Sequence, residues 1–298
     1  MQNVKLLNYL HLHFIVFIWG FTAILGALIS VDAFSLVWYR MLLGAFFVLL
    51  FIVVKKVHLK VTLKTLLKLC FVGLLIALHW LTFFSAIKVS NVSITLAMMS
   101  TGAFFASLLE PLIFKRKIIK YEVVFGLIVS LGLYIIFRVE SHYYLGIILA
   151  LISAFLGALF SIFNGMLVKT HDASIISFYE LLSGMLCITI YLLVTGSMDS
   201  SFFSLTVNDW IFISILASIC TAYAFIAHVH VMRWISPYTV MLTTNMEPVY
   251  GIILALLILG DKEYMSPSFY LGAIIILITV ILNGIIKTRN KSIVNTKQ

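Results

Sequence analysis

Ten apolar runs decide what this chain can fold into. They lie near 10–30, 35–54, 66–87, 91–114, 121–138, 144–168, 174–195, 210–232, 236–259 and 267–287. A helix rising 1.5 Å per residue needs about 20 residues to cross a hydrocarbon core of about 30 Å, and each run is near that length. Inside hydrocarbon every backbone N–H and C=O must be satisfied within the protein, which leaves helices or a closed barrel. A barrel would show short segments of alternating residues, and these runs are continuous. The composition agrees: 63% of the 298 residues are hydrophobic and 10% are charged. A soluble domain sits near half apolar and a quarter charged. The expected fold class is an all-α integral membrane protein with ten transmembrane helices. The first run lacks the charged segment and cleavage site of a signal peptide, so no cleavable leader is expected. Cys70, Cys187 and Cys220 lie inside apolar runs without metal-binding spacing, so neither a metal nor another cofactor is expected.

The basic residues orient the spans. With a cytoplasmic N-terminus, one set of connections holds Lys5, Lys55, Lys56, Lys60, Lys64, Lys68, Lys115, Arg116, Lys117, Lys120, Lys169, Arg233, Lys287, Arg289, Lys291 and Lys297. The opposite set holds Lys88, Arg138 and Lys262, and Arg40 lies inside a span. This asymmetry follows the positive-inside rule, so both termini are expected on the cytoplasmic side of the inner (plasma) membrane. It also accounts for the net charge of +9. The basic belt faces an anionic leaflet, so nucleic acid is not an expected partner.

The chain carries signs of an internal duplication. WYRMLLG, Trp38 to Gly44, aligns with FYELLSG, Phe178 to Gly184, at an offset of 140 residues. Ser90 to Ala106 and Ile235 to Gly251 both run from a loop into a span, and Gly126 and Gly272 fall similarly in the fifth and tenth spans. Two halves, 1–140 and 141–298 with a short cytoplasmic tail, would each hold five helices. An odd number makes the halves insert with opposite topology, the inverted-repeat plan of transporters with a site near the midplane.

Four features in this order are similar to the EamA type of the drug/metabolite transporter superfamily. They are FIWGF (Phe17 to Phe21) in the first span, Arg40 early in the second, NMEPVYG (Asn245 to Gly251) in the ninth, and LGDKE (Leu259 to Glu263) after it. The sequence departs from the family at Gly260-Asp261, where Gly-Glu is usual, and at Lys115-Arg116-Lys117 in the first half, preceded by Glu110-Pro111. The resemblance covers nearly the whole chain. It implies ten spans in a five-plus-five arrangement and transport of small metabolites, commonly export of amino acids or related compounds, through a cavity between the halves.

Ionisable residues within a span are functional candidates by default. Glu247 lies 11 residues into a span beginning near Ser236, about 16 Å deep. Pro248 removes a backbone hydrogen bond and is expected to kink the helix near Thr243 and Thr244, with Pro248 and Gly251 as a hinge. On helical spacing Glu247 shares a face with Thr243, Thr244, Tyr250 and Gly251, while Asn245 points elsewhere. The alternative is a protonated Glu making one interhelical hydrogen bond. His79 is equally deep, with Trp80 adjacent, and His79 and Glu247 are the two ionisable residues expected at the midplane. They could pair or share a proton, which makes protons candidate coupling partners. A satisfied core histidine is the competing reading.

Arg40 and Glu180 occupy matching repeat positions at different depths, so each is expected to snorkel or bind locally near its own interface. Glu110 is expected in an interfacial ion pair with the nearby lysine cluster, and His228 and His230 are read as interfacial too. Ser93, Ala97, Ser100, Ala103 and Ser107 form a small-residue stripe on the fourth span, suited to packing or to a cavity wall. The stripe Ser153, Gly157, Ser161 and Gly165 on the sixth is assigned to packing. Trp19 is expected to form an aromatic cavity wall.

These features favour a secondary carrier for a small molecule in a lipid bilayer, working by alternating access, with a second copy of the chain as a candidate partner. An ATP-driven pump would need a nucleotide-binding domain, and GxxxxGK[ST] is absent. HExxH, GxSxG and paired membrane aspartates are absent too, against an intramembrane enzyme. A non-transporting receptor or scaffold would usually offer a sizeable soluble domain, and a channel a filter-like run.

Overall fold

The computed structural model describes residues 2–115, 120–200, 202–235, 240, 243–244 and 246–295. Among these residues there are helices, turns and bends and no strand. The helices are α1 (Gln2–Leu28), α2 (Ala33–Val54), α3 (Leu63–Val89), α4 (Val92–Met99), α5 (Gly102–Ile113), α6 (Lys120–Val139), α7 (Tyr144–Leu167), α8 (Ala173–Val194), α9 (Val207–Ala217), α10 (Ala224–Val231), α11 (Met246–Leu259) and α12 (Pro267–Asn295). Among the described residues, seven segments are long and apolar enough to cross a membrane: Leu6–Leu28, Ala33–Val54, Leu63–Val89, Val92–Ile113, Ser141–Leu167, Ala173–Val194 and Val207–Val231. Val124–Val139 and Pro267–Asn283 are shorter apolar helices. Asn245, Ser236, Arg116 and Lys117, which the sequence analysis singled out, lie outside the described residues.

Local chemistry sets the helix ends. Asp32, Thr62, Asn91 and Asp172 each accept a hydrogen bond from a first-turn amide of the helix that follows. Thr206 and Asp209 form a reciprocal capping box at the start of α9. Gly196 and Gly260 follow α8 and α11 with φ of +68° and +66°, the left-handed turn that ends helices without a Cβ clash.

Two expected spans are interrupted. The fourth breaks at Ser100 and Thr101, between α4 and α5. Both hydroxyls donate back to carbonyls of the preceding turn, Ser100 to Ala97 at 2.6 Å and Thr101 to Met98 at 2.7 Å. Such back-bonding competes with the helical ladder and bends it. The stripe from Ser93 to Ser107 is therefore not one straight face. The eighth span contains a π-helical segment, Ser218–Tyr223, between α9 and α10.

Packing runs mostly across the chain's midpoint. α3 packs on α7 and α8, α2 on α8 and α9, α1 on α11, α4 on α7 and α11, α5 on α7, and α6 on α12. Three of these crossings place glycine against glycine. A Cβ on Gly20 would lie 3.3 Å from the Gly251 amide nitrogen, one on Gly184 2.7 Å from the Gly73 carbonyl oxygen, and one on Gly272 2.9 Å from the Gly132 carbonyl oxygen. With no side chain of their own at these points, the glycines let the backbones approach closely enough for dispersion contacts to hold helices together in lipid. Gly272 thus meets Gly132, its counterpart at the 140-residue offset. Gly126, the expected counterpart, instead faces the Phe104 ring.

The connections sort to two ends. At one, Tyr179 donates to the Leu59 carbonyl at 2.8 Å and Arg233 to the His171 carbonyl at 3.0 Å, so the lysine-rich connections adjoin. At the other, carboxylates tie helix ends together. Asp209 accepts from the Ser30 amide and hydroxyl, both at 2.7 Å. Glu140 accepts from the Ser266 hydroxyl at 2.8 Å. Glu263 is 3% exposed and accepts from the amides of Val92 and Ser93 at 3.1 and 2.8 Å and from the Ser93 hydroxyl at 2.9 Å, capping α4 from the far side of the sequence.

Two stability changes should follow. Gly184→Ala drives a methyl into Gly73 and Met41 and should lower stability by about 1–3 kcal/mol, read as an earlier thermal transition of the purified protein. A transition unchanged from wild type would show that the helices do not approach this closely. Glu263→Ala leaves the buried first-turn amides of α4 without their acceptor and should cost about 1–3 kcal/mol in the same measurement, with Glu263→Gln recovering part.

Candidate functional site

At the centre of the bundle, residues from α1, α2, α3, α4, α7, α10, α11 and the π-helical segment enclose a cavity of about 70 Å³. Its walls are largely aromatic and include Trp19, Trp80, Phe83, Phe160 and Phe225. Its charged and titratable groups are Arg40, Glu247, His79, His228 and Cys220. A single water needs about 10–15 Å³ of such space, whereas ligand pockets run to about 300–1,000 Å³. The space therefore holds several waters, and a metabolite with a bulky side chain requires its walls to separate.

Arg40 is the least expected member. It was placed near its own interface, but it is 2% exposed and lines the cavity. Its Nε donates to the Thr221 hydroxyl at 2.7 Å, and its guanidinium carbon lies 3.8 Å from the Trp80 ring centroid. A planar cation stacks on an indole face, and the attraction strengthens where water is excluded. Depth judged from the backbone missed this, because an arginine side chain long enough to snorkel outward is also long enough to reach a polar partner inward. The partner is supplied by the π-helical segment. Thr221 donates to the Leu216 carbonyl, five residues back, at 2.8 Å, while its oxygen accepts from Arg40. The neighbouring carbonyl of Cys220 accepts from the Trp19 indole N–H at 3.1 Å. The irregular backbone thus aims two groups into the cavity wall, a recurrent use of such bulges. The Arg40 Nη1 has no hydrogen-bond partner among the described residues.

Glu247 lines the same cavity and is 9% exposed. The ion pairs among the described residues are His142 with Glu140 and Arg233 with Asp172. Arg40 and Glu247, a basic and an acidic side chain, therefore line one space without forming a direct ion pair. Thr244 lies on the wall beside Glu247, and its hydroxyl donates to the Val240 carbonyl at 3.0 Å.

His79 is held rigidly. Its Nδ1 lies 2.8 Å from the Ser153 carbonyl oxygen, which can only accept, so Nδ1 carries a proton and, in the neutral ring, Nε2 is the acceptor. The Ser153 hydroxyl donates to the His79 carbonyl at 2.9 Å, and Gly157 leaves room for the ring. The sixth-span stripe, assigned to packing, thus also seats a cavity histidine, and Ser161 reaches the wall. No hydrogen bond joins His79 to Glu247, although both face the cavity. His228 was also read as interfacial. It is 1% exposed, lies 4.7 Å from the Trp19 ring centroid and lines the cavity. Neither of its ring nitrogens has a hydrogen-bond partner among the described residues.

Of the residues proposed from sequence, Trp19, His79, Trp80, Thr244 and Glu247 come together on this cavity. Thr243 is helical and half-buried but is not on the cavity wall. Ser100 sits at the α4–α5 break, bonded to its own helix. Tyr250 turns toward α1, with its ring 5.6 Å from that of Phe17. Pro248 and Gly251 are buried, and Gly251 forms the crossing with Gly20. Glu180 does not snorkel: it is fully buried and accepts from the Asn164 amide at 3.2 Å. Glu110 is buried and makes no ion pair with Lys115.

The model of the EamA-like transporter family matches residues 8–138 and 144–285, nearly the whole chain in two copies. An uncharacterized transporter of Clostridium kluyveri is 24% identical over 267 residues, covering 85% of this chain and 84% of that protein. A protein of known crystal structure, 13% identical, superposes with a TM-score of 0.68 over 92% of this chain and 96% of its own, and so shares the fold. With apolar helices throughout and both family matches in sequence, this multi-pass membrane protein belongs to the EamA-like transporter family.

Proposed function

We propose that the chain is a secondary carrier that exports a small zwitterionic metabolite, an amino acid or a related compound, across the inner membrane. In this reading ten spans form two inverted five-helix halves, 1–140 and 141–298, with both termini cytoplasmic. The observation that carries the reading is that Arg40 from the first half and Glu247 from the second line one aromatic cavity without forming a direct ion pair. An Arg fork suits a carboxylate. A carboxylate across the space suits an ammonium group, and the Trp19, Phe83 and Phe225 rings suit an apolar side chain. A charge left alone in hydrocarbon is costly, so a zwitterion satisfies both groups at once.

The cavity's small volume supports alternating access, since the halves must part to admit substrate. Glu247 is the group proposed to exchange a proton for the substrate ammonium. A proton gradient could then drive export, with His79 as a fixed neutral acceptor on the same wall.

The test is transport by the purified chain in liposomes, with a labelled amino-acid mixture and an imposed pH gradient. Wild type is expected to show saturable, gradient-dependent transport. Glu247→Gln should lose the gradient response, and Arg40→Gln should reduce transport on the order of a hundredfold, as expected from removing one partner of a desolvated charge-assisted hydrogen bond worth about 2–3 kcal/mol. Transport by Glu247→Gln equal to wild type would make Glu247 a packing residue. If folded wild type moves no amino acid, the substrate class is wrong.

A further inference from the structure

A second cavity, of about 760 Å³, opens between the N-terminal turns of α3 and the C-terminal turns of α7, at the lysine-rich end of the bundle. We infer that it binds one anionic phospholipid, with the headgroup phosphate at Lys64 and Lys68 and an acyl chain lying along Phe71, Phe163 and Met166.

The order of residues along α3 carries the inference. Lys64 and Lys68 are one helical turn apart and both exposed. Leu67 lies between them and Phe71 one turn beyond them on the same side, 63% and 49% exposed. From Lys64 to Phe71 the helix rises about 10 Å, so charge gives way to apolar surface over the distance at which a lipid headgroup gives way to its chains. Phe71 and Phe163 meet edge to face at 5.7 Å and, with Met166, form the apolar floor.

The rim is built for an anion. Besides the two lysines it includes Thr65, Thr170 and His171. His171 lies 2.8 Å from the Thr170 hydroxyl and 3.4 Å from that of Thr65, which joins the start of α3 to the α7–α8 turn. The start of α3 adds the positive end of a helix dipole. The nearby carboxylate, Asp172, is already engaged. It caps α8 through Ser174 and lies 3.7 Å from Arg233, so the rim keeps its positive charge. Basic pockets between transmembrane helices recognise lipid headgroups by this combination of charge and hydroxyls beside an apolar groove. A soluble anion would use the rim and leave the groove bare. The inference needs only that the chain lies in a membrane, and not what the central cavity carries.

Native mass spectrometry of the full chain tests it. The protein in neutral detergent is incubated with equal phosphatidylglycerol and phosphatidylcholine, with and without excess inorganic phosphate. Wild type is expected to retain one phosphatidylglycerol in preference to phosphatidylcholine, and phosphate should not displace it. Lys64→Gln with Lys68→Gln should weaken retention roughly 25-fold, since each lysine near an anionic headgroup contributes a factor of about five. Lys55→Gln with Lys56→Gln makes the same charge change at the same end and should retain the lipid. Leu67→Trp keeps the charges, fills the groove and should also lose it. Equal loss in both double variants would reduce the effect to diffuse attraction and overturn the site, as would full retention by Leu67→Trp. Displacement by inorganic phosphate would make the rim a soluble-anion site instead.

Discussion

Every backbone N–H and C=O at membrane depth must find its partner inside the protein, because hydrocarbon offers none. That constraint makes the spans helical and explains how the helices are interrupted. Where the ladder breaks at Ser100 and Thr101, side-chain hydroxyls take up the turn's carbonyls. Where α9 passes into the π-helical segment, Thr221 and the Cys220 carbonyl become available to Arg40 and Trp19. An irregular backbone is tolerated at membrane depth when buried or lining a cavity: Ser100 and Thr101 are buried, and the second break buries Cys220, Thr221 and Ala222, with Cys220 on the central cavity. The capping carboxylates at one end of the bundle serve the same need, with Glu263 supplying an acceptor to the start of α4.

The central cavity follows from the same rule applied to charges. Arg40 is held by one hydroxyl and one indole face, which leaves donors of its fork unused. Glu247 approaches the same space from another helix and makes no direct ion pair with Arg40. Between them lie rigid aromatic walls and a histidine whose tautomer is set by Ser153. The close glycine crossings let helices from opposite ends of the sequence form these walls without bulky residues filling the space between them.

The sequence was informative where a residue's role depends on its own helix. The apolar runs, the clustering of lysines at one end, and the depth of Glu247 and His79 could be read without knowing any neighbour. Trp19, Trp80, His79, Thr244 and Glu247 line one cavity. Errors came where a role depends on what stands opposite. Arg40 and His228 looked interfacial because a position along a helix axis says nothing about which way a long or planar side chain turns. Thr221 carried no signal, since an ordinary helix would have left its hydroxyl bonded to its own turn. Tyr250 and Gly251 share a helical face with Glu247, yet they close on α1, because a face as wide as that touches two neighbours at once.

The sequence alone therefore determined the solvent, the class of secondary structure and the family resemblance. These depend on hydrophobic length, charge asymmetry and motif order, which are properties of the chain itself. Only the tertiary structure decided which charges share a cavity, which glycines meet, and where an apolar groove runs into a basic rim. Those are relations between helices far apart in sequence, set by backbone approach and side-chain reach across an interface that no single span encodes.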